Sequence, residues 1–252
     1  MPIFASPRLL PLGDGALTLQ FGDEIGAESS ALVLGFTRAL EQAVQRQELP
    51  GVAEWVPAFA SVTVIFDDVF DPARAAERDA ALLALARAVQ PQRASGRRWR
   101  LPACFDADLA PDLESLAAAC GLTPEGIVDR VTGTALRVYM LGFLPGFPFM
   151  GDLPAECAQP RRTSPRAVVP ERSIATAGRL CGAYPWASPG GWHLIGRTPV
   201  RLFDAQAAEP ALLRPGDWLH WAAVGRAEYD ALERRAAAGA LSRDELLDGE
   251  AA

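Results

Sequence analysis

Glycine and proline recur every few residues between Leu136 and Pro199, and no part of that segment keeps the periodicity of a helix. Both residue types interrupt helices, because proline lacks an amide hydrogen and glycine loses too much backbone freedom when it is ordered. The short apolar stretches from Leu136 onward, such as WHLIG (192–196) and DWLHWAAV (217–224), have the length and composition of brief strands bounded by turns. We therefore expect residues 136–230 to form a small β-barrel or a compact β-fold.

The first 95 residues show a different pattern, in which strand-like and helix-like stretches alternate. ALTLQFG alternates apolar and polar side chains, and residues 28–46 repeat apolar residues at helical spacing. Two β-rich runs follow, and a helix is predicted over residues 71–90 with Asp71 as its cap. With residues 97–105 as a further strand, this order favours a ferredoxin-like split β-α-β sheet with both helices on one face. The predicted fold class is α+β with two domains.

Residues 96–135 are expected to connect the two domains. They include two short helices, of which the first ends on Gly121 and the second opens with Thr123 as its cap and Pro124 in its first turn. A charged, helix-prone tail follows the barrel over residues 231–252. Its last dozen residues can bury little apolar surface, so we expect them to fray or to serve contacts.

Charge and hydropathy exclude two classes of partner. A net charge of −7 provides no broad positive field for a nucleic-acid backbone, so nucleic acid is not expected. No stretch approaches the roughly 20 apolar residues of a membrane-spanning helix, and no signal-like segment opens the sequence. These features predict a cytoplasmic protein that does not enter the membrane.

The inventory of side chains narrows the chemistry. The four cysteines are far apart and form no CxxC pair, which argues against a zinc site or a disulfide framework and favours buried thiols. The sequence contains no lysine, which removes a Walker-type phosphate lysine and a Schiff-base lysine. The strong cations are therefore all arginines, whose planar fork suits a carboxylate or a phosphate.

Four segments of the second half combine arginine, glycine, proline and aromatic residues. They are LGFLPGFPFMGDLP (141–154), PRRTSPRAVVP (160–170), AGRLCGAYPWASPGGWHLIGRTP (177–199) and LRPGDWLHW (213–221). In this order the motifs resemble the family of the 5-oxoprolinase B subunit, also known as KipI or allophanate hydrolase subunit 1. The resemblance extends over nearly the whole chain, since VPAFASVTVIFD in the first half also fits it. It implies an α/β N-terminal domain and a cyclophilin-like β-barrel as the C-terminal domain.

The resemblance also implies a function and partners. The B subunit works with a KipA-like partner, the C subunit of 5-oxoprolinase, and with the A subunit of the same enzyme. Their complex uses ATP to open the lactam of 5-oxo-L-proline to L-glutamate. ATP is thus the implied cofactor, and the sequence does not locate its site.

Two alternatives to this function stay open. One is a KipI-like inhibitor of a sensor histidine kinase, which would use the aromatic segment as its contact surface. The other is an amide-handling module of the urea carboxylase or allophanate type.

Opening a lactam requires donors aimed at the carbonyl oxygen, or phosphorylation of that oxygen. The SPGGW loop is the strongest candidate, because glycine permits close backbone approach and leaves amides free for an oxyanion or a phosphate. A tight turn of the barrel explains Gly190 and Gly191 equally well. The candidate catalytic hydroxyls are those of Tyr184, Ser188 and Thr198.

Arginines within the motifs are the candidate anion-binding residues. Arg162, Arg166 and Arg197 are expected to contact a substrate carboxylate, a phosphate or the partner protein, and Arg161 belongs to the same set. A nucleophilic serine also needs a base. Of the two histidines, His193 lies just after the SPGGW loop, and we expect it to be a satisfied surface or barrel residue.

The segment LGFLPGFPFMGDLP is expected to be neither a helix nor an ordinary strand. Pro145 fixes a backbone torsion and Gly146 supplies conformations that other residues avoid, so the segment is stiff and irregular. It holds the rings of Phe143, Phe147 and Phe149, which either line a pocket, face a partner or plug the end of the barrel.

Four positions beside these motifs depart from the family pattern. Leu180 and Cys181 stand where the family usually carries a glutamine and a threonine, and Glu171 and Arg172 replace a small pair. Losing an amide and a hydroxyl removes hydrogen-bonding capacity near Tyr184. We therefore expect a different substrate or a partly retired pocket on an unchanged fold.

Overall fold

The chain divides into two units, Met1–Ala94 and Ser95–Ala252. The computed structural model describes three ranges, residues 3–67, 72–91 and 96–248. Of residues 72–74 only the backbone is described, and the predicted cap Asp71 lies outside the described residues. No helix within these ranges is long and apolar enough to cross a membrane.

The first unit is a four-stranded antiparallel sheet with two helices. In chain order its elements are β1 (Ile3–Leu12), β2 (Ala16–Gly22), α1 (Ala27–Gln45), β3 (Val52–Pro57), β4 (Ser61–Phe66) and α2 (Pro72–Ala88). The strand order is β1-β2-β4-β3. The alternation predicted for ALTLQFG is confirmed, because Leu17, Leu19 and Phe21 are buried and the residues between them are partly exposed. Both predicted helices form, and the ring of Phe36 in α1 lies 5.5 Å from that of Phe21.

The fourth strand of this sheet is β1, and the prediction that residues 97–105 complete it is wrong. β1 pairs antiparallel with β2, for example at Leu10 and Thr18. The later strand does form, as β5 (Arg98–Ala103), but it pairs in parallel with Trp218–Ala223 in the second unit. Alternation shows which side chains of a strand are buried, but it does not identify the neighbouring strand, which here comes from the far end of the sequence.

The described part of the second unit contains nine strands. After β5 they are β6 (Leu136–Leu141), β7 (Pro148–Gly151), β8 (Arg166–Val169), β9 (Ser173–Ala177), β10 (Leu180–Ala183), β11 (Ser188–Gly190), β12 (His193–Arg197) and β13 (Trp218–Ala223). Seven form one sheet in the order β12-β9-β10-β7-β6-β13-β5, and β8 pairs with β11 separately. The two edges of the large sheet meet where Cys104 and Arg197 exchange backbone hydrogen bonds of 2.9 Å in both directions. The sheet is therefore a nearly closed barrel.

The barrel encloses the larger hydrophobic core. Leu101, Val138, Ile174, Ile195 and Trp221 come from five different strands, and each is almost fully buried. The prediction of a β-rich second half is thus confirmed. The barrel also uses β5, which lies ahead of the segment in which it was expected.

The predicted helices of the second unit are confirmed. They are α3 (Leu113–Cys120), α4 (Pro124–Thr132) and α5 (Arg226–Ala237). Gly121 ends α3 with a φ of +67°, and the hydroxyl of Thr123 accepts a hydrogen bond of 3.0 Å from the amide of Gly126 at the start of α4. Both α3 and α4 contribute to the core of the barrel, so they belong to the second unit itself.

The C-terminal tail folds onto the second unit as far as Asp248. Leu246 is 5% exposed within the barrel core, and Leu247 forms a bridge with Trp99. The amide of Asp248 donates to the carbonyl of Arg98 at 2.8 Å. Of the two expectations for the last dozen residues, fraying is wrong for their described part and contacts form there, because a single buried leucine and pairing along β5 hold them in place.

Candidate functional site

A buried carboxylate, Asp112, binds two of the motif arginines. Arg166 donates through both terminal nitrogens to the two carboxylate oxygens, at 2.7 and 2.8 Å, and Arg162 donates to Oδ1 at 2.7 Å. The amide of Leu194 in β12 donates to Oδ2 at 2.8 Å. The carboxylate is 4% exposed, whereas the side chains of Arg166 and Arg162 are 25% and 32% exposed. One carboxylate thus fastens the PRRTSPR segment to the barrel.

The backbone of Asp112 explains why this carboxylate is so firmly placed. The residue directly precedes α3, and its amide donates to the carbonyl of Leu194 at 3.0 Å. Burial alone would raise the pKa of this carboxyl. The hydrogen bonds from Arg166 and Leu194, with the charges of Arg166 and Arg162, outweigh burial and hold the pKa below its ordinary value. Asp112 is therefore ionised at neutral pH and balances one of the two positive charges beside it.

Arg161 differs from Arg162 and Arg166 because no carboxylate pairs with it in the described part of the chain. Its guanidinium is exposed and lies 5.9 Å from the centre of the Trp192 ring. With Arg162 and His193 it lines a notch of about 410 Å³ that contains no acidic side chain. The lining of this cationic notch is Gln159, Pro160, Arg161, Arg162, Thr163, Ser164 and His193.

His193 forms one wall of the cationic notch and is fixed by a single bond. Its Nε2 lies 2.9 Å from the carbonyl oxygen of Pro160, and because a carbonyl only accepts, Nε2 carries the hydrogen. Nδ1 is buried and has no partner among the described residues. The preceding Trp192 is 5% exposed and belongs to a separate aromatic cluster. The expectation of a satisfied His193 is thus confirmed for one ring nitrogen only.

The SPGGW loop lies beside the PRRTSPR segment. β11 pairs antiparallel with β8, with Gly190 opposite Arg166, and the amide of Arg162 donates to the carbonyl of Gly191 at 2.8 Å. A Cβ atom on Gly190 would lie 2.3 Å from the hydroxyl oxygen of Tyr184. Glycine at this position therefore lets the tyrosine hydroxyl approach the backbone.

The three candidate catalytic hydroxyls lie in different surroundings. Burial raises the pKa of Tyr184, with the charges of Arg161 and Arg166 opposing it, and only 2% of the residue is exposed. Ser188 is partly exposed and donates to the carbonyl of its neighbour Pro189 at 3.3 Å. Thr198 is fully buried, and its hydroxyl accepts from the amide two residues later at 3.2 Å. Thr198 therefore serves the barrel wall and has no open side.

Arg197 lies apart from the arginines held by Asp112. It ends β12 and closes the barrel through its backbone bonds to Cys104. Its Nε is buried without a partner among the described residues, and its charge helps to lower the pKa of Asp108. The sequence grouped four arginines, whereas the structure groups three of them near the SPGGW loop.

The aromatic segment is the loop of a β-hairpin that joins β6 to β7. The expectation that it contains no ordinary strand is wrong for Pro148–Gly151, because proline is tolerated at the first position of a strand. Phe149 pairs with Met140 on one side and with Gly182 on the other. Within the loop, the amide of Phe147 donates to the carbonyl of Leu144 at 3.0 Å.

The three phenylalanines of this loop have different environments. Phe147 is 2% exposed, and its ring lies edge-on to Tyr184 and Trp192 at 5.0 and 5.9 Å. Phe149 is partly buried and lies 4.9 Å from Phe147. Phe143 is 64% exposed and adopts a φ of +66°, which a bulky side chain rarely does. One ring is therefore buried in a cluster with Tyr184 and Trp192, while another faces outward.

Close packing explains the glycines around this loop. Gly146 has a φ of +78°, and a Cβ atom there would lie 2.7 Å from that of Phe203. A Cβ atom on Gly182 would lie 2.6 Å from the ring of Phe147. Pro145, just before Gly146 in the motif, is exposed. The glycines around this loop are thus required by its packing against Phe203 and Phe147.

The departures from the family pattern lie outside the cationic notch. Cys181 is fully buried in the barrel core, and burial raises the pKa of its thiol to about 12. Arg172 has a φ of +64° and forms ion pairs with Glu171 at 3.3 Å and with Glu233 of α5 at 2.9 Å. These replacements therefore change the core and a turn, and they leave the lining of the notch untouched.

The last motif, LRPGDWLHW, is organised by a second buried carboxylate. Asp217 is 3% exposed and accepts hydrogen bonds from the indole nitrogen of Trp99 at 2.8 Å and from the amides of Arg97 and Arg214 at 3.0 Å.

All four cysteines are free, and three are buried. Among the described residues no group of three or more metal-ligating side chains is close enough to hold an ion.

Sequence reasoning missed Asp112 and Asp217 and gave Arg161 too little weight. An aspartate directly before a helix is typical of an N-cap, yet the Asp112 side chain makes no capping bond. The available signal was its position between apolar residues in LAPDLESL, where an acid is costly unless it is paired.

Comparisons with known proteins identify the family of this chain. The family described as "Carboxyltransferase domain, subdomain C and D" matches residues 7–213. The B subunit of 5-oxoprolinase from Bacillus subtilis (strain 168) is 37% identical over 230 residues, which cover 87% of this chain and 94% of that protein.

Two solved structures share the fold. TTHA0988 superposes with a TM-score of 0.70 at 32% identity, over 83% of this chain and 40% of that one. The Kluyveromyces lactis urea carboxylase gives a TM-score of 0.74 at 17% identity, over 98% of this chain and 25% of that one. The second likeness is one of fold alone. The chain spans less than half of either structure but nearly all of the B. subtilis relative.

Proposed function

The chain belongs to the carboxyltransferase subdomain C and D family, with the B subunits of 5-oxoprolinase, and on this premise we propose that it is the B subunit of an ATP-dependent 5-oxoprolinase. The complex would use ATP and water to open the lactam of 5-oxo-L-proline, with L-glutamate, ADP and phosphate as products. The proposed partners are the KipA-like C subunit and the A subunit of that enzyme. The part we assign to this chain is to hold the carboxylate of the substrate.

The observation that supports this assignment is that the guanidinium of Arg161 is not paired with a carboxylate of the described residues. A guanidinium already paired with a protein carboxylate has little attraction left for a ligand, and Arg166 is in that condition because both terminal nitrogens bond Asp112. Arg161 has no such partner among the described residues, and the notch that it lines contains no acid. Within the cationic notch, Arg161 is therefore the arginine available to a carboxylate.

Asp112 contributes by fixing the segment that carries Arg161. A binding group held in place before the ligand arrives loses less conformational entropy on binding. Asp112 bonds Arg162 and Arg166, which follow Arg161 closely in sequence, and the amide of Arg162 is bound to Gly191. The cationic notch is thus preorganised by the protein.

The outward ring of Phe143 supports the proposed partner. It stands at the tip of a hairpin whose base is packed by Phe147, so it presents apolar area on a rigid support. Aromatic anchors of this kind are enriched at protein interfaces. We assign Phe143 to the contact with another protein of the complex.

Reconstitution tests the proposal. The chain is combined with the A and C subunits from the same genome, and release of ADP and L-glutamate is measured with 5-oxo-L-proline. Arg161→Ala should raise KM about tenfold or more, the usual effect of losing one charge-assisted contact. The exposed Arg46 offers a matched control, and Arg46→Ala should leave turnover unchanged.

A second ligand separates carboxylate binding from a general effect. The amide 5-oxoprolinamide lacks the carboxylate, so its inhibition constant should be the same for the wild type and for Arg161→Ala. An equal loss for both ligands would refute the role of Arg161. Failure of the complete complex to form ADP in response to 5-oxo-L-proline would refute the activity, and a phosphorylation assay with a sensor histidine kinase would then test the inhibitor alternative.

A further inference from the structure

A second concave region of the barrel unit lies apart from the cationic notch and shares none of its lining. It is a cleft of about 680 Å³ lined by the turn before β9, by Pro185 and Trp186 after β10, by the loop from Pro199 to Gln206 and by residues of α5. The apolar part of its lining includes Pro185, Trp186, Phe203 and Ala236. We call it the Trp186 cleft.

An aromatic shelf forms one side of the Trp186 cleft. Trp186 is 42% exposed, and its ring lies edge-on to that of Phe203 with the centres 5.9 Å apart. Phe203 is fixed in turn, because it packs against the backbone of Gly146, where even a methyl group would not fit. A large indole left exposed on a rigid support offers a planar ligand a favourable ring contact.

Side chains of both charges surround this shelf: the carboxylates of Glu171, Asp204 and Glu233, and the guanidinium groups of Arg172 and Arg201. Arg172 is shared by Glu171 and Glu233. Arg201 is 64% exposed and approaches Asp204 only to 3.8 Å, beyond hydrogen-bond distance. Arg201 is therefore open to an anionic group.

The acids, in turn, retain capacity for a cation. Oε1 of Glu233 forms an ion pair with Arg172 at 2.9 Å and accepts a hydrogen bond from the Tyr229 hydroxyl at 3.3 Å, and no donor among the described residues contacts its Oε2. The side chain of Glu171 is 54% exposed. The three carboxylates of the cleft would repel a polyanion such as a nucleotide. A ligand with one charge of each sign can instead pair its positive group with these carboxylates and its negative group with Arg201.

We propose that the Trp186 cleft is a separate ligand site that takes an aromatic α-amino acid. The ring lies on Trp186, the carboxylate binds Arg201, and the ammonium group binds Glu233 with Glu171 beside it. This assignment is independent of the proposed 5-oxoprolinase activity, because it uses different residues.

Isothermal titration calorimetry on the full chain tests the site, with L-phenylalanine as the probe. Phenylacetate lacks the ammonium group, phenethylamine lacks the carboxylate and L-glutamate lacks the ring. Each should bind at least about tenfold more weakly than L-phenylalanine, since each loses one of the three contacts. Adenosine monophosphate should also bind more weakly, and a tighter nucleotide would overturn the charge argument.

Variants locate the site. Trp186→Ala and Arg201→Ala should each weaken binding of L-phenylalanine about tenfold or more, while Arg161→Ala in the cationic notch should leave it unchanged. Both cleft residues are exposed, so the melting temperatures should remain close to that of the wild type. No heat of binding with millimolar L-phenylalanine, or full binding by both cleft variants, would overturn the proposal whether or not the 5-oxoprolinase assay succeeds.

Discussion

Arg166 spans Asp112 with two hydrogen bonds of 2.7 and 2.8 Å, and this pair joins the start of α3 to β8. The carboxylate is almost sealed from water, while the guanidinium keeps a quarter of its surface exposed. If the carboxylate is removed, water can still partly solvate the remaining cation, so the loss in free energy of unfolding is smaller than for a fully buried pair. Removal of the arginines would leave a buried anion, which is worse.

Replacing Asp112 by asparagine should destabilise the second unit. Asparagine keeps the shape but removes the charge that Arg162 and Arg166 share. Breaking a buried pair costs about 3–5 kcal/mol, and the partial exposure of both arginines lowers the expected loss to about 2–3 kcal/mol. Urea unfolding at pH 7 measures this as a lower midpoint. As a control, Glu156→Gln removes the exposed partner of Arg130 and should have a much smaller effect. Equal losses would contradict the special weight given to Asp112.

The contribution of Asp112 should depend on pH in one direction. Its folded pKa lies below the unfolded value of about 3.9, so the folded state binds this proton less readily than the unfolded state. The stabilisation is complete above about pH 5 and is lost as the pH falls through the folded pKa. The difference in free energy of unfolding between the wild type and Asp112→Asn should therefore shrink as the pH falls from about 5 to about 3. A difference that is constant or grows in that range would show that the stabilisation comes from the hydrogen-bond geometry of the Asp112 side chain and not from its charge.

Local patterns predicted the helices, the caps of α3 and α4 and most strands, because each depends on neighbours in sequence. The pairing of β5 with β13 could not be predicted in this way. Its partner is distant in sequence, and the alternation of Trp99 and Leu101 fits any sheet with one buried face. The same limit applies to the tail, because Leu246 packs into a core formed by residues that are distant from it in sequence.

The candidate site was predicted by segment more accurately than by residue. The motifs do place Gly190 beside Arg166, which composition and order suggested. Which arginine is free for a ligand depends on the position of Asp112, which precedes Arg166 by 54 residues, and sequence order does not reveal such a contact. Arg197 shows the converse, because it shares a motif with the loop but faces a different part of the barrel.

Gly146→Ala should be far more damaging than Gly178→Ala. Both glycines have positive φ, so alanine costs each about 1 kcal/mol in backbone strain. At Gly146 the new methyl group also meets Phe203 at 2.7 Å, whereas nothing lies within 4 Å at Gly178. Overpacking adds roughly 1–3 kcal/mol for Gly146→Ala alone. Thermal unfolding of the two variants compares them directly, and similar melting temperatures would mean that the hairpin yields to the methyl group.

Two phenylalanines of the hairpin should respond in opposite ways. Phe143→Asn removes an exposed ring and places a residue that tolerates positive φ, so the free energy of unfolding should change by less than about 0.5 kcal/mol. Phe147→Ala empties the space between Tyr184 and Trp192 and should cost about 3–5 kcal/mol. Size-exclusion chromatography with the KipA-like partner supplies the second measurement. Intact complex formation by Phe143→Asn would refute the interface assigned to Phe143.

The C-terminal segment should behave as part of the barrel and not as a loose end. Leu246→Ala removes a side chain that is 5% exposed and should lower the free energy of unfolding by about 2–4 kcal/mol. Leu247→Ala, next to it, removes one that is 37% exposed and should cost less than about 1 kcal/mol. Guanidinium unfolding of the two variants gives the comparison. If both changes were nearly neutral, the pairing of Leu247 with Trp99 would be too weak to hold the segment, and β5 would be an open edge in solution.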